Sequence, residues 1–317
     1  MLKILRSIGL PLFWVLTSTA SFGQSAFSFV ALGDLPYGAP EKSGPTYRAL
    51  IDRINQIGPA FSVHVGDIKS GSSLCSDEEF AQQKTHFQRF TGAVVYTPGD
   101  NEWTDCHRVN NGSFDPLERL GKIRQMFFTS GRSLGSKPIT VLNQSSVHPQ
   151  HGKFIENMRW IQDKVLFVTL HVVGSNNNLE SRDMAAVHEF FERDSANVAW
   201  IRDSFEQALQ MQADAMVVSF QADVLEGKTA WEDFPGWSGF RQSIGDTLLP
   251  LAHRWGKPVL VVHGDSHQFK IDQPFKLEKK PLRNVTRLIV PGASDVRAVM
   301  VNVKGGSFSF ELIEPHR

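Results

Sequence analysis

Four Gly-Asp steps, each closing or adjoining an apolar run, constrain this chain more than any other feature. They are FVALGD ending at Asp34, FSVHVGD ending at Asp67, AVVYTPGDNE around Asp100, and VLVVHGDSH from Val259 to His267. Short runs rich in β-branched residues and bounded by glycine read as buried strands. Glycine lets the backbone turn sharply and presents the next side chain at the strand's C-terminal end. In open α/β sheets that edge is where ligands bind. Four acidic side chains delivered to one edge repel one another unless cations lie between them. The pattern points to a carboxylate-rich, cation-binding site on a sheet edge.

The intervening segments agree with that reading. Ala26 to Leu32, Phe61 to Val65 and Ala93 to Tyr96 are predicted strands. Between them, Tyr47, Leu50, Ile51, Ile54 and Ile57 recur at helical spacing before Gly58-Pro59, and Ser76-Asp77-Glu78-Glu79 opens a second helix. This β-α-β-α-β alternation implies a parallel sheet. Residues 103 to 152 read as a long excursion over the sheet edge, with one helical pattern from Pro116 to Phe127. Met158 to Val173 reads as a hairpin or two adjacent strands, Ala185 to Gln212 as a helix, and Ala215 to Phe220 as a strand. A helix from Phe240 to Trp255 leads into a strand from Pro258 to Val262. Leu288 to Val290, Val296 to Val303 and Phe308 to Leu312 are three further short strands, expected to be antiparallel and half-exposed. No linker divides residues 24–317, which read as one domain.

The N-terminus has a separate purpose. Lys3 and Arg6 precede an apolar stretch from Ile8 to Leu16, then small and polar residues to Gly23. Charge, length and flanks are those of a secretory signal peptide over residues 1–23, with cleavage after Ala20 or Gly23. No later stretch is long and apolar enough to span a membrane. The expected location is periplasmic or secreted. Losing Lys3 and Arg6 would take the net charge from 0 to −2, and no basic excess signals nucleic-acid binding. In an oxidising compartment the two cysteines, Cys75 and Cys106, favour a disulfide over two free thiols.

The order of the motifs resembles the calcineurin-like metallophosphoesterase superfamily. That family reads Asp-x-His, Gly-Asp-x-x-Asp, Gly-Asn-His-Glu, a lone histidine after a strand, and Gly-His-x-His. The matching stretches are Asp34-Leu35-Pro36, Gly66-Asp67-Ile68-Lys69-Ser70, Gly99-Asp100-Asn101-Glu102, Gln221, and Gly264-Asp265-Ser266-His267. The resemblance spans about residues 28 to 270. It implies an α/β fold, a four-layer α-β-β-α sandwich. It implies one or two divalent ions, with Asp67 bridging when there are two. The first ion would keep Asp34 and His267 but lose the histidine replaced by Pro36. The second would take Asp67, Asp100, Gln221 and Asp265.

The departures change the expected chemistry. Four carboxylates in place of two would lower the charge of a two-ion centre from about +2 to about zero, and oxygen-rich shells suit Mg²⁺, Mn²⁺ or Ca²⁺ more than Zn²⁺. Iron is also compatible. Asn101 stands where the family has a histidine that protonates the leaving group or stabilises transition-state charge. Asparagine can donate a hydrogen bond but cannot transfer a proton. General acid catalysis is worth about 10²- to 10⁴-fold, so His107, His171 or His263 becomes the candidate substitute, with His263 chosen as catalytic. Glu102 matches the family's glutamate, which orients its neighbour.

The resemblance therefore implies an exported hydrolase that cleaves a phosphate ester or anhydride by metal-bound hydroxide. Its substrate would be a phosphorylated small molecule or lipid headgroup. The alternative is a catalytically degenerate protein that keeps the fold and binds a ligand at the same edge; a Ca²⁺-stabilised structural module stands third. No GxSxG, GxGxxG or P-loop competes with these readings.

Overall fold

The computed structural model describes residues 26–316, so the expected signal segment 1–23 lies outside the described residues. The strands are Ala26–Leu32 (β1), Ser62–His64 (β2), Ala93–Tyr96 (β3), Leu134–Gly135 (β4), Leu142–Asn143 (β5), Met158–Gln162 (β6), Val165–Thr169 (β7), Ala215–Ser219 (β8), Val259–His263 (β9), Lys270–Asp272 (β10), Lys276–Leu277 (β11), Lys280–Pro281 (β12), Val285–Ile289 (β13), Ala298–Lys304 (β14) and Ser307–Ile313 (β15). One sheet runs β15-β14-β1-β2-β3-β4 and a second β10-β13-β9-β8-β7-β6-β5, while β11 and β12 form a small separate hairpin.

Side-chain alternation along the strands builds the layers. Phe29 and Ala31 of β1 meet Phe167, Val217, Leu260 and Leu288 of the other sheet in a shared core. Phe61, Trp160 and Phe167 sit there with ring centroids 4.9 to 5.4 Å apart, within the range of favourable aromatic packing. Val30 and Leu32 point the other way, onto Tyr47, Leu50 and Ile54 of helix Pro40–Ile57 and Phe80 and Phe87 of helix Asp77–Arg89. On the far side, Val168, Val218 and Val261 pack under Trp200, Ile201 and Phe205 of helix Met184–Gln210. The result is the expected four layers, α-β-β-α.

Helix boundaries follow local chemistry. The Ser76 side chain accepts the Glu79 amide at the start of helix Asp77–Arg89. Asp115 caps helix Pro116–Phe127, whose first residue is a proline, and Gly58 ends helix Pro40–Ile57 in the left-handed region.

Three expectations are corrected. The strand expected at Leu288 to Val290 falls on β13, which is antiparallel only to β10 and pairs parallel with β9 on its other side. It is buried on nearly every residue, as a central parallel strand must be. The segment after residue 103 is more than an excursion: helix Pro116–Phe127 packs Ile123 and Phe127 on the outer face of the first sheet, and β4 and β5 edge the two sheets. The helix expected from Phe240 begins as a widened π-helical stretch, Arg241–Leu248, before Leu249–Trp255. Pro250 lacks an amide hydrogen for the regular ladder at that junction.

Cys75 and Cys106 are joined in a disulfide. It ties the segment after β2 to the segment after β3. Closing 31 positions of chain is worth about 3–4 kcal/mol in the chain-entropy account. Replacing both cysteines by alanine is expected to lower unfolding stability by that amount, measured by urea titration. A loss below about 1 kcal/mol would contradict it.

Candidate metal centre at the strand ends

Pairing brings the carboxylates together. Leu32, His64 and Tyr96, the last residues of β1, β2 and β3, are in register. In the second sheet, β7 and β8 end level with each other, and β9 and β13 end together one residue further on. The loops leaving these ends converge: the Asp34 amide bonds Gly66 O, the Gly264 amide bonds Gln221 O, and the Ala293 amide crosses to Asp34 O at 2.9 Å. Asp34, Asp67, Asp265 and His267 all hold positive φ, from 52° to 71°. Non-glycine residues held in that region are strained and cluster at functional sites.

Asp34, Asp67 and His267 offer ligand atoms that all lie within 4.8 Å of one another. His267 Nε2 is 3.3 Å from Asp34 Oδ1, which also accepts the Asp265 amide at 3.0 Å. Asp34 Oδ2 is buried without a hydrogen-bond partner. Methyl groups at Gly264 or Gly292 would strike Asp34, and one at Gly99 would strike Asp67 Oδ1. Glycine at these positions is what lets the carboxylates lie flat against the backbone. A buried, partnerless carboxylate oxygen beside a second carboxylate and an imidazole fits a divalent cation.

The other expected residues surround this trio. Asn101 Nδ2 donates to Asp67 Oδ2 at 2.8 Å and to the Tyr37 hydroxyl at 2.6 Å, while Tyr37 donates to Asp67 Oδ2 at 2.7 Å. Gln221 Nε2 donates to Asp100 Oδ1 at 3.1 Å and its Oε1 accepts the Gly174 amide at 2.6 Å. Asp265 Oδ2 accepts the Asp223 amide at 2.8 Å. Glu102 is fully buried and accepts the Gly99 amide and the Tyr96 hydroxyl, both at 2.7 Å, so it braces the turn that carries Asp100 and Asn101.

His263 stands apart. Val262 belongs to the shared core, so the alternation of β9 turns His263 to the opposite, helix-covered face. There it stacks on Phe220 and its Nδ1 lies 2.9 Å from Gly264 O. Burial lowers it to about 4. His107 is exposed, its Nδ1 2.7 Å from Thr104 O. His171 is buried against Glu156 at 2.8 Å. None of the three replaces the missing acid by contact with the aspartates.

Burial dominates the electrostatics, and like charge adds to it. Burial pushes Asp67 well above the usual carboxylate range, with Asp100 and Asp34 adding to it. Burial raises Asp34 against the opposing pull of His267. Asp265 is pushed up to about 8 by burial and then Asp100, and Glu102 to about 7 by burial. His267 is raised by Asp34.

Three participants have weaker sequence signals. Lys69 is fully buried and donates to Ser70 O at 2.9 Å, with Glu102, Asp67 and Asp105 the charges it feels most. Lysine is almost never fully buried without a charge partner. Its place directly after Gly66-Asp67-Ile68 was the available signal. Ser175 lies 2.9 Å from Asp100 Oδ2 and 2.8 Å from Asp105 Oδ1. Nothing local in the sequence marks either residue. A cavity of about 780 Å³ opens beside them, lined by His107, Arg108, Glu180 and Arg182 among others. A second, of about 420 Å³, adjoins Asp265 and includes Lys228, Lys270 and Arg287.

No protein-family model matches the sequence, and no curated protein does. Solved structures do resemble the fold. A dimetal phosphatase from Danio rerio superposes with a TM-score of 0.54 over 91% of this chain and 98% of that one, at 12% identity. Weaker likenesses are TT1561 of Thermus thermophilus (TM-score 0.46, 9% identity, 92% of this chain and 100% of that one) and a 5'-nucleotidase from Candida albicans (0.44, 11%, 93% and 53%). The sequence motifs, the two sheets with their covering helices, and the first of these superpositions agree: the chain has the calcineurin-like metallophosphoesterase fold, with a diverged set of residues at its strand ends.

Proposed function

We propose that this protein is an exported, metal-dependent phosphoesterase that hydrolyses a phosphate ester or anhydride of a small molecule or lipid headgroup. The observation that carries the reading is the Asp34–Asp67–His267 cluster with the partnerless Asp34 oxygen, at the strand edge of a phosphoesterase-type fold. A divalent cation held by these residues supplies Lewis-acid polarisation of phosphoryl oxygens and acidification of water. The chain's own groups do the rest. Asn101 and Tyr37 fix the orientation of Asp67, and Glu102 fixes the turn that carries Asn101. Of the basic side chains lining the smaller cavity beside Asp265, Lys228 is the one that no ion pair holds among the described residues. The disulfide supports export, and among the described residues no helix is long and apolar enough to cross a membrane.

The test is turnover after metal exchange. Protein stripped of metal and refilled with Mn²⁺, Mg²⁺, Zn²⁺, Ca²⁺ or Fe²⁺ is assayed on phosphate mono- and diesters and on pyrophosphate. Activity with at least one ion supports the reading, and none with any ion overturns it. The hydrogen-bonded state of Asp100, Gln221 and Ser175 and the asparagine at 101 favour the second reading, a ligand-binding protein. Tight binding of a phosphorylated compound without turnover would decide for that.

Asn101 also sets an expected leaving-group preference. General acid help is worth about 10²- to 10⁴-fold and matters most for poor leaving groups. Aryl phosphates and anhydrides are therefore expected to turn over at least about 100-fold faster than alkyl phosphates. A kcat/KM series over aryl and alkyl esters measures this. A flat series would show that some other group donates the proton.

A further inference from the structure

The resemblance implies up to two cations, with Asp67 shared between them. The hydrogen bonds of this chain leave little room for the second. A carboxylate has about four lone-pair sites. Asp67 uses three of them on Tyr37 Oη, Asn101 Nδ2 and the Asn101 amide, at 2.7, 2.8 and 3.2 Å. One site remains, which suffices for one cation and not for a bridge. Around the second position, Asp100 Oδ1 accepts Gln221 Nε2, and Asp100 Oδ2 lies 2.9 Å from the Ser175 hydroxyl. Gln221 cannot turn its oxygen toward a cation without surrendering the Gly174 amide, and an amide nitrogen has no free lone pair to offer. The first position differs: Asp34 Oδ2 is buried and unpartnered, and Asp34, Asp67 and His267 form the cation-sized cluster among the described residues.

Resting on the metal-dependent reading above, we infer that the centre binds a single divalent cation, on Asp34, Asp67 and His267. The chain itself fills the second position, through the donors of Gln221, Ser175, Asn101 and Tyr37. Gln221 is in this view a positioning residue that holds Asp100, not a metal ligand.

The experiment counts the ions. Full-length mature protein is stripped, equilibrated with excess Mn²⁺, desalted, and analysed for metal per chain and by electron paramagnetic resonance. One Mn²⁺ per chain with an isolated six-line spectrum is expected. Gln221→Ala is expected to keep that one ion with affinity changed less than about threefold, because glutamine is neutral and lies off the site; His267→Ala should weaken it at least tenfold. Two ions per chain with an exchange-coupled spectrum would overturn the inference and leave the phosphoesterase reading standing. Loss of the ion in a folded Gln221→Ala would overturn it too, by locating the ion at the second position. No retained Mn²⁺ in the unaltered protein would overturn the single-cation inference, while the phosphoesterase reading would still stand or fall on turnover with the other ions.

Discussion

Asp67→Asn is expected to lower kcat/KM by about 10³-fold or more while leaving the metal-free fold intact. Asp67 sits at the centre of the acidic cluster, and its ionised form is opposed by burial, Asp100, Asp34, Glu102 and Asp265. Such a charge makes sense only as a partner for a cation. Asparagine keeps the shape and can still accept from Tyr37 and Asn101 through its oxygen. It loses the charge and sacrifices at most the 3.2 Å bond from the Asn101 amide. Removing one preorganised electrostatic group costs about 10²–10³ in other sites, and a metal-holding carboxylate should cost at least the upper figure. Removing buried like charge should leave the metal-free melting temperature equal or higher. Parallel kinetics and thermal melts check both halves. A variant retaining more than about a tenth of the activity would remove Asp67 from the mechanism.

Glu156→Gln is expected to cost about 3–5 kcal/mol at neutral pH, the usual consequence of removing one partner of a buried ion pair. Glu156 is fully buried, held by the guanidinium of Arg124 and by His171 Nδ1. Burial alone would raise it, but Arg124 and then His171 outweigh burial and hold it well below the usual carboxylate range. Burial lowers His171 to about 4, so the imidazole is neutral at pH 7 and Nδ1 carries the hydrogen given to the carboxylate. The pair supports the candidate metal centre from beneath. His171 O accepts from Arg193 and Asn197, and the chain then runs to Gly174 and Ser175, which touch Gln221 and Asp100.

The sign of the pH dependence follows from the depressed carboxylate. An acid whose folded-state value lies below its unfolded value of about 4.5 adds stability above that pH, and the contribution fades as pH falls toward the folded value. The gap between the original protein and Glu156→Gln should be full at pH 7 and shrink below about pH 4.5. Denaturant titrations of both proteins from pH 7 to pH 3.5 measure it. A gap that stays constant would mean that Glu156 is not ionised in the fold.

How far the site could be read in advance depended on how local each cause was. Asp34, Asp67, Asp100 and Asp265 were legible because apolar run, glycine and acid lie next to one another in the chain. The disulfide was legible from two cysteines together with the expectation of an oxidising compartment. His263 was misjudged on information already present: Val262 is apolar and turned toward the other sheet, so strict alternation sends His263 to the far face. Tyr37, Ser175 and Asp105 had no such signal. Tyr37 meets Asp67 across 30 positions and Ser175 meets Asp100 across 75, separations at which no spacing rule operates.

The same division holds for the molecule. The sequence by itself determined the strand ends, the alternation of strand and helix and the presence of an acidic edge, because these follow from apolar periodicity and from glycine beside acid; the four layers were implied by the resemblance of its motifs to a known family. Only the tertiary structure decided which lone pairs of Asp67 are taken, that Gln221 turns its nitrogen to Asp100, and that Lys69 is buried. The physical reason is that a hydrogen bond or a buried charge is fixed by ångström-scale contacts between segments far apart in sequence. Four Gly-Asp steps can announce a cation site; the donors gathered around them determine how many cations it can hold.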